Sequence, residues 1–432
     1  LYKLSSEDSR VLISESMDYF QRGDKRFFYL ADTVWNAFLK CSLEEWKEYL
    51  LYRQKQNFNV LQISILPILH DASQYIGELQ PFEKDKKGNW NFDLPNENYF
   101  YKAEQMIKIA TEMRFIPALV VLWCNYVKGT WASEKVHPSC IMPIDKVESY
   151  TSYVVNRFKR YSPIYLASGD TNFPTDESVE YFRTVIRTIK RNDREGLTAF
   201  HLQPHVNLPE EFIHSKEVDF YMYQSGHQKN QDLTYKLAEK FSNIRVKRPI
   251  VNGEPCYEGH GYGREYGRFK SFEVRKAMWQ SLLSGAKAGF TYGAHGLWSW
   301  HRRGEIFNNK EFSDTPLDWR SSLQLEGAWD VSFAKWLFEL YNLFDLEPQD
   351  KILNESEEIR MASSKDGRKV IVYIPYLTEV HINEDLSNFN LYLVDLSKKN
   401  FMIPKMDFNN DKWSSLKIYD SNSDALLIGT RD

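Results

Sequence analysis

Arg248–Gly259 reads RPIVNGEPCYEG. Pro249, Ile250 and Val251 form a short apolar run of the kind that is buried as a strand. The pattern then stops at Asn252-Gly253-Glu254-Pro255. Glycine permits unusual dihedrals or close backbone approach. Proline fixes its own φ and cannot continue a ladder. A carboxylate between them, at the end of an apolar run, is held by rigid backbone at the mouth of a sheet. An earlier run, Ser162–Asp170 (SPIYLASGD), closes the same way on Gly169 and Asp170. Two carboxylates on two strand ends, with helical sequence between them, point to acid–base chemistry at the C-terminal face of a parallel barrel.

Working outward, there are eight apolar runs, with helical sequence between most neighbours. Phe27–Asp32 is the first, after a polar N-terminal segment with its own short strand, Arg10–Ser14. Val60–Leu66, Phe115–Trp123 and Ile164–Ser168 follow, then Leu197–Leu202, Val218–Gln224, Pro249–Val251 and Gly289–Tyr292. Helices are predicted over Glu44–Gln56, Tyr99–Glu112, Asp145–Arg160, Glu177–Arg191, Asp232–Phe241, Phe272–Ser284 and Trp329–Leu343. Ser42 and Glu45 form a capping box at the first helix; Thr175 or Asp176 caps the fourth. Continuous apolar runs suit parallel strands buried on both faces. The pattern predicts an α/β fold, a (β/α)8 TIM barrel. An open doubly wound sheet is disfavoured, because no glycine-rich phosphate turn follows the first strand. Long loops, 67–98 and 125–143, interrupt the alternation, and loops of that length are usually functional or mobile.

From about Asp345 the texture changes. Ile359–Ala362, Lys369–Ile374, Leu391–Asp395 and Ala425–Ile428 read as short strands between turn signals such as Lys365-Asp366-Gly367. The expected organisation is a barrel domain over residues 1–344 and a small all-β sandwich domain over 345–432.

Composition narrows the function classes. The chain has 432 residues, 15% aromatic, with 12 Trp, 26 Tyr and 27 Phe. That fills a large core and leaves aromatic rings for stacking on sugars. Net charge is −4 with no basic block, which argues against nucleic acid. No apolar run approaches the ~18–20 residues of a membrane span. Cys41, Cys124, Cys140 and Cys256 lack disulfide-framework or metal spacing and read as free thiols. That tilts toward a cytoplasmic location, while the start at Leu1 leaves an exported form open.

Several motifs in order carry a resemblance. They are FFYLADTVW at Phe27–Trp35, GDTNF at Gly169–Phe173, DFYMYQSGH at Asp219–His227, NGEPCYEG at Asn252–Gly259 and RKAMWQSLLSGAKAGFTYGAHGLWSW at Arg275–Trp300. Together they resemble the apiosidase-like glycoside hydrolases, glycoside hydrolase family 140 and its relatives. LYLVDLSKK at Leu391–Lys399 is similar to the small β-sandwich, labelled collagen-binding, that such proteins often carry. The resemblance implies Asp170 as acid/base and Glu254 as nucleophile, in agreement with the strand-end reading. It also implies a retaining mechanism on apiosyl or related pentosyl linkages in plant cell-wall, pectic glycans. The partner expected is an oligosaccharide or polysaccharide, with no cofactor. A non-catalytic carbohydrate-binding barrel is the alternative.

The remaining strand-end residues are candidate substrate-binding groups. Asp32 and Trp35 follow the first strand; Asp32 could equally be a cap. Gln62 lies on the second strand, where it could instead satisfy the barrel interior. Trp123 ends the third strand, and Asn172 follows Asp170. His201 ends the fifth. Tyr223, Gln224 and His227 end the sixth, with Tyr223 placed to hydrogen-bond the Glu254 carboxylate or to sit in the core. Glu258, four residues past Glu254, reads as a substrate-binding group. His295, Trp298 and Trp300 follow the eighth strand, and the two tryptophans offer a stacking platform or pack beneath the loop. His201 and His205 lack the carboxylate-flanked helical spacing of a metal pair, so no metal is expected.

Overall fold

The computed structural model describes residues 10–70, 79–263, 265–409, 412–418 and 423–432. Eight parallel strands form one nearly closed sheet, with helices around it: a TIM barrel. The strands are β1 (Tyr29–Thr33), β2 (Val60–Ser64), β3 (Ile116–Trp123), β4 (Ile164–Gly169), β5 (Thr198–Ala199), β6 (Tyr221–Gln224), β7 (Ile250–Glu254) and β8 (Gly289–Tyr292). Their order is β5-β4-β3-β2-β1-β8-β7-β6. The seam between β5 and β6 is closed by a parallel bridge from His201 to Met222.

Local sequence explains the outer ring. Helix α1 (Leu43–Lys55) starts in the Ser42–Glu45 capping box. Helix α2 spans Glu97–Glu112, α3 Ile144–Phe158 and α4 Asp176–Asn192, the last capped by Thr175. Helices α5 (Leu233–Ser242), α6 (Ser271–Leu283) and α7 (Gly327–Leu340) complete it. At the other end, Phe20 of a short antiparallel sheet is fully buried beneath the barrel, 5.3 Å from Phe220 and 6.2 Å from Tyr29.

Three local expectations change. Strand β7 does not stop at Val251 but runs to Glu254. Strand β5 shrinks to two residues, and Leu202 joins only through a bridge to Thr171. The 67–98 loop contains a hairpin, Phe82–Lys84 with Trp90–Pro95, whose Phe82 packs on Phe92 and Tyr150. Asp71 and Tyr75 of that loop lie outside the described residues. Cys41, Cys124 and Cys256 are buried and Cys140 half-buried, all four as free thiols. Among the described residues no helix is long and apolar enough to cross a membrane.

After Asp345 the chain forms a six-stranded antiparallel sheet and a three-stranded one. Alternate residues of the larger sheet face two different cores. Val370, Val372, Ile374 and Leu427 meet the smaller sheet. Ile371, Tyr373, Leu426 and Ile428 join the barrel's core. Burial on both faces is why Lys369–Ile374 (KVIVYI) and Ala425–Ile428 (ALLI) read as almost unbroken apolar runs. Ions reinforce the contact: Arg275 of α6 is buried between Asp424 at 2.7 Å and Asp330 of α7 at 2.8 Å.

Candidate active site

A cavity of about 620 Å³ opens at the C-terminal ends of the strands, and Glu254 and Asp170 both line it. Backbone geometry aims each carboxylate. In β7 the register slips by one residue, with Tyr223 opposite Asn252 but Gln224 opposite Glu254. Gly253 is the extra residue of this bulge, and a bulge re-aims the side chain beyond it. Asn252 points outward, donating to Ser225 Oγ at 2.9 Å and to Ser281 Oγ of α6 at 3.0 Å. Unbroken alternation would send Glu254 to that same outer face; the bulge turns it into the cavity.

The glycine is required by space. A Cβ on Gly253 would stand 2.4 Å from the Met222 sulfur. Gly169 is matched in β4, where a Cβ would fall 2.2 Å from the Trp123 ring. The residue after it, Asp170, adopts a left-handed φ of 51°, which Asp tolerates better than most residues.

Histidines hold Glu254. His227 Nε2 lies 2.9 Å from its Oε1. His201 Nε2 lies 3.2 Å from its Oε2, off the line of a good hydrogen bond. The backbone sets the tautomer of both rings. His227 Nδ1 accepts the Tyr257 N–H at 3.3 Å, and His201 Nδ1 accepts the Asp170 N–H at 3.0 Å. An amide N–H can only donate, so each Nδ1 is bare and each Nε2 carries the hydrogen that faces Glu254. Burial alone would raise the Glu254 pKa; the two histidines outweigh it and hold the carboxyl down to about 2. His201 also joins the two carboxylate residues, touching Asp170's backbone with one nitrogen and approaching Glu254 with the other.

Aromatic walls complete the site. Trp35 and Trp123 line the cavity with ring centroids 5.1 Å apart, and both pack against His201. Trp35 Nε1 donates to Tyr257 Oη at 2.9 Å. Trp131 Nε1 donates to the Asp170 carbonyl at 2.9 Å. Trp298 and Gln224 also face the space. Among the described residues no group of three or more His, Cys, Asp or Glu is arranged to hold a metal ion.

Other candidates lie elsewhere. Asp32 is fully buried, and its Oδ2 accepts from Arg53 Nε at 2.6 Å and Tyr49 Oη at 2.8 Å, so no sugar reaches it. Gln62 spans the barrel interior, donating to Gly253 O at 3.0 Å and accepting from Tyr29 and Thr291 hydroxyls. Tyr223 does not hold Glu254; its hydroxyl donates to Thr234 O at 2.8 Å on the helix side. Glu258 faces away too, accepting from Tyr292 Oη at 2.6 Å and Gly327 N at 2.9 Å at the start of α7. His295 is buried behind Trp298, whose Nε1 donates to its Nδ1 at 3.2 Å. Trp300 is not a platform: it is fully buried and stacked on Trp319 at 4.7 Å. Asn172 is half-buried and is not among the cavity's walls.

Tyr257 and His260 line the cavity without having been singled out. They lie three and six residues beyond Glu254, and the signal was the aromatic and histidine density of Tyr257–Tyr262, YEGHGY.

The apiosidase-like catalytic-domain family model matches residues 14–345. No curated protein matches the chain. A solved structure described as a glycoside hydrolase is 18% identical, with a TM-score of 0.80 over 98% of this chain and 97% of that one. A glycoside hydrolase family 5 structure from Bacteroides vulgatus has the same identity and TM-score over 98% of this chain and 93% of its own. An endo-1,4-beta-mannanase from Rhizomucor miehei is 11% identical, with a TM-score of 0.50 over 76% of this chain and 100% of that one. At such identities these structures share the fold and nothing finer. With a family match over most of its length, the chain belongs to the apiosidase-like family and is a glycosidase.

Proposed function

We propose that the chain is a retaining glycosidase in which Glu254 is the nucleophile and Asp170 the acid/base. The observation that carries this is the pair of histidine edges on Glu254. A nucleophilic carboxylate has to be ionised and fixed in place before it attacks. His201 and His227 do both, and the bulge at Gly253 aims the group into a cavity that Asp170 also lines. Asp170 gives a proton to the leaving oxygen while a Glu254 oxygen bonds the anomeric carbon; in the second half Asp170 takes a proton from the water that releases the sugar.

The substrate class is an apiosyl or related pentosyl linkage in pectic plant cell-wall glycans. The family's description supports the sugar, and a cavity of about 620 Å³ walled by Trp35, Trp123 and Trp298 suits rings with apolar C–H faces. The test is hydrolysis of pectin-derived oligosaccharides and aryl pentosides, following the anomeric proton by NMR. Release of a pentose with initially retained configuration is expected. Initial inversion would make Glu254 a base for water, and no product across the panel would remove the sugar assignment.

A further inference from the structure

His260 differs from the two histidines on Glu254. Its Nδ1 lies 2.7 Å from the carbonyl oxygen of Gly261. A carbonyl only accepts, so Nδ1 carries the hydrogen and Nε2 is left as a lone-pair acceptor. The ring lies nearly parallel to His227, with centroids 4.4 Å apart at 24°. His295 packs across it at 4.7 Å and 60°. His260 still lines the cavity. With one face stacked on His227, His295 packed across the ring and the Nδ1 edge spent on Gly261, the Nε2 edge is left for a ligand.

The ring is also locked as the neutral acceptor. Burial, then the neighbouring His227 and His295, push its pKa well below 6.5. His227 therefore spends its donor on Glu254, while His260, stacked beside it, keeps an acceptor.

We propose that His260 is a specificity-determining residue whose Nε2 accepts a hydrogen bond from a hydroxyl of the sugar bound against Glu254. The inference rests on the glycosidase reading above and adds a polar contact to it. A buried acceptor of this kind discriminates strongly, because an analogue lacking the hydroxyl leaves it unpaired.

The first measurement needs no substrate. Imidazole nitrogen NMR of the free protein at neutral pH should show His260 as the neutral tautomer protonated at Nδ1. A ring protonated at Nε2, or at both nitrogens, overturns the proposal even if apiosides are cleaved. The second uses 4-nitrophenyl apioside and its monodeoxy analogues with His260→Phe and His260→Gln. The Phe variant should lose about 10- to 100-fold in kcat/KM on the parent. It should match the wild type on one deoxy analogue, and the Gln variant, which restores an acceptor, should recover part of the loss. An equal loss on every analogue, with no recovery by Gln, would make His260 structural and overturn the proposal. If apiosides are not cleaved, the sugar assignment fails, and the same series is run on whichever aryl glycoside is.

Discussion

His227 and Glu254 meet edge to edge, Nε2 standing 2.9 Å from Oε1, and the hydrogen between them belongs to the histidine because Tyr257 N–H occupies the other ring nitrogen. This contact keeps a buried carboxyl ionised. Glu254's pKa of about 2 lies below its usual 4.5. Its contribution to stability is thus complete above about 4.5 and is lost as pH falls through about 2. In His227→Ala the burial stays and a donor goes, so the pKa rises. The acid limb of the kcat/KM profile should move upward, with a loss of about 10- to 100-fold at its optimum. A pH–rate profile with an unmoved acid limb would mean that His227 does not set the charge on Glu254.

Glu258 has the opposite balance. Burial pushes it up to about 7, against Tyr292 Oη and Gly327 N–H, which favour the charged form. A carboxyl whose folded pKa exceeds its unfolded 4.5 binds its proton more tightly when folded. Its penalty is therefore absent below about 4.5, grows as pH rises and is complete above about 7. Glu258→Gln keeps an oxygen for both donors and removes the charge. Urea titration should find the variant more stable than wild type by on the order of 2 kcal/mol at pH 8, with the gap closing by pH 4.

The two tryptophans after β8 should separate by phenotype. Trp298 lines the cavity, whereas Trp300 is buried on Trp319 with its Nε1 3.3 Å from Glu45. Trp298→Ala should raise KM several-fold, in addition to the stability loss of a buried ring that also donates to His295. Trp300→Ala should cost about 3–5 kcal/mol of stability by the same urea assay, as large core truncations do. KM of the protein that remains folded should stay near wild type.

The C-terminal sheets are built into the barrel through Arg275. Asp424 Oδ1 accepts from its Nη2 at 2.7 Å, and Tyr373 donates to the same carboxylate at 3.2 Å. Asp424→Ala leaves a buried guanidinium with only Asp330. A loss of about 3–5 kcal/mol is expected, with kcat/KM on a small aryl glycoside unchanged. Removing 345–432 altogether should bare the apolar barrel surface that Ile371, Tyr373 and Ile428 cover and cost solubility; loss of polymer binding alone would instead mark a binding module.

The barrel was legible because β3 and its parallel neighbours are buried on both faces and leave apolar runs such as Ile116–Trp123 (IPALVVLW). The carboxylates were legible because each follows a glycine that close packing demands, Gly169 under Trp123 and Gly253 against Met222. Which polar strand-end residues face the cavity was not. Asp32 and Glu258 are claimed by partners that only the fold brings near, Arg53 on α1 and Tyr292 on β8. Of the two places open to Tyr223, the core is the one it takes, because the register slip at Gly253 separates its face from that of Glu254. The short polar strands of the smaller C-terminal sheet carry little apolar pattern, Lys405–Asn409 (KMDFN) being half-exposed or exposed throughout.

The most direct test of Glu254 as nucleophile is mass spectrometry of the protein after incubation with a 2-deoxy-2-fluoro pentofuranosyl fluoride, which slows release of the glycosyl-enzyme. The account predicts one added fluoropentosyl group, on the peptide containing Glu254, and none in Glu254→Gln. A label on another carboxylate, Asp170 or Glu258 included, would contradict it.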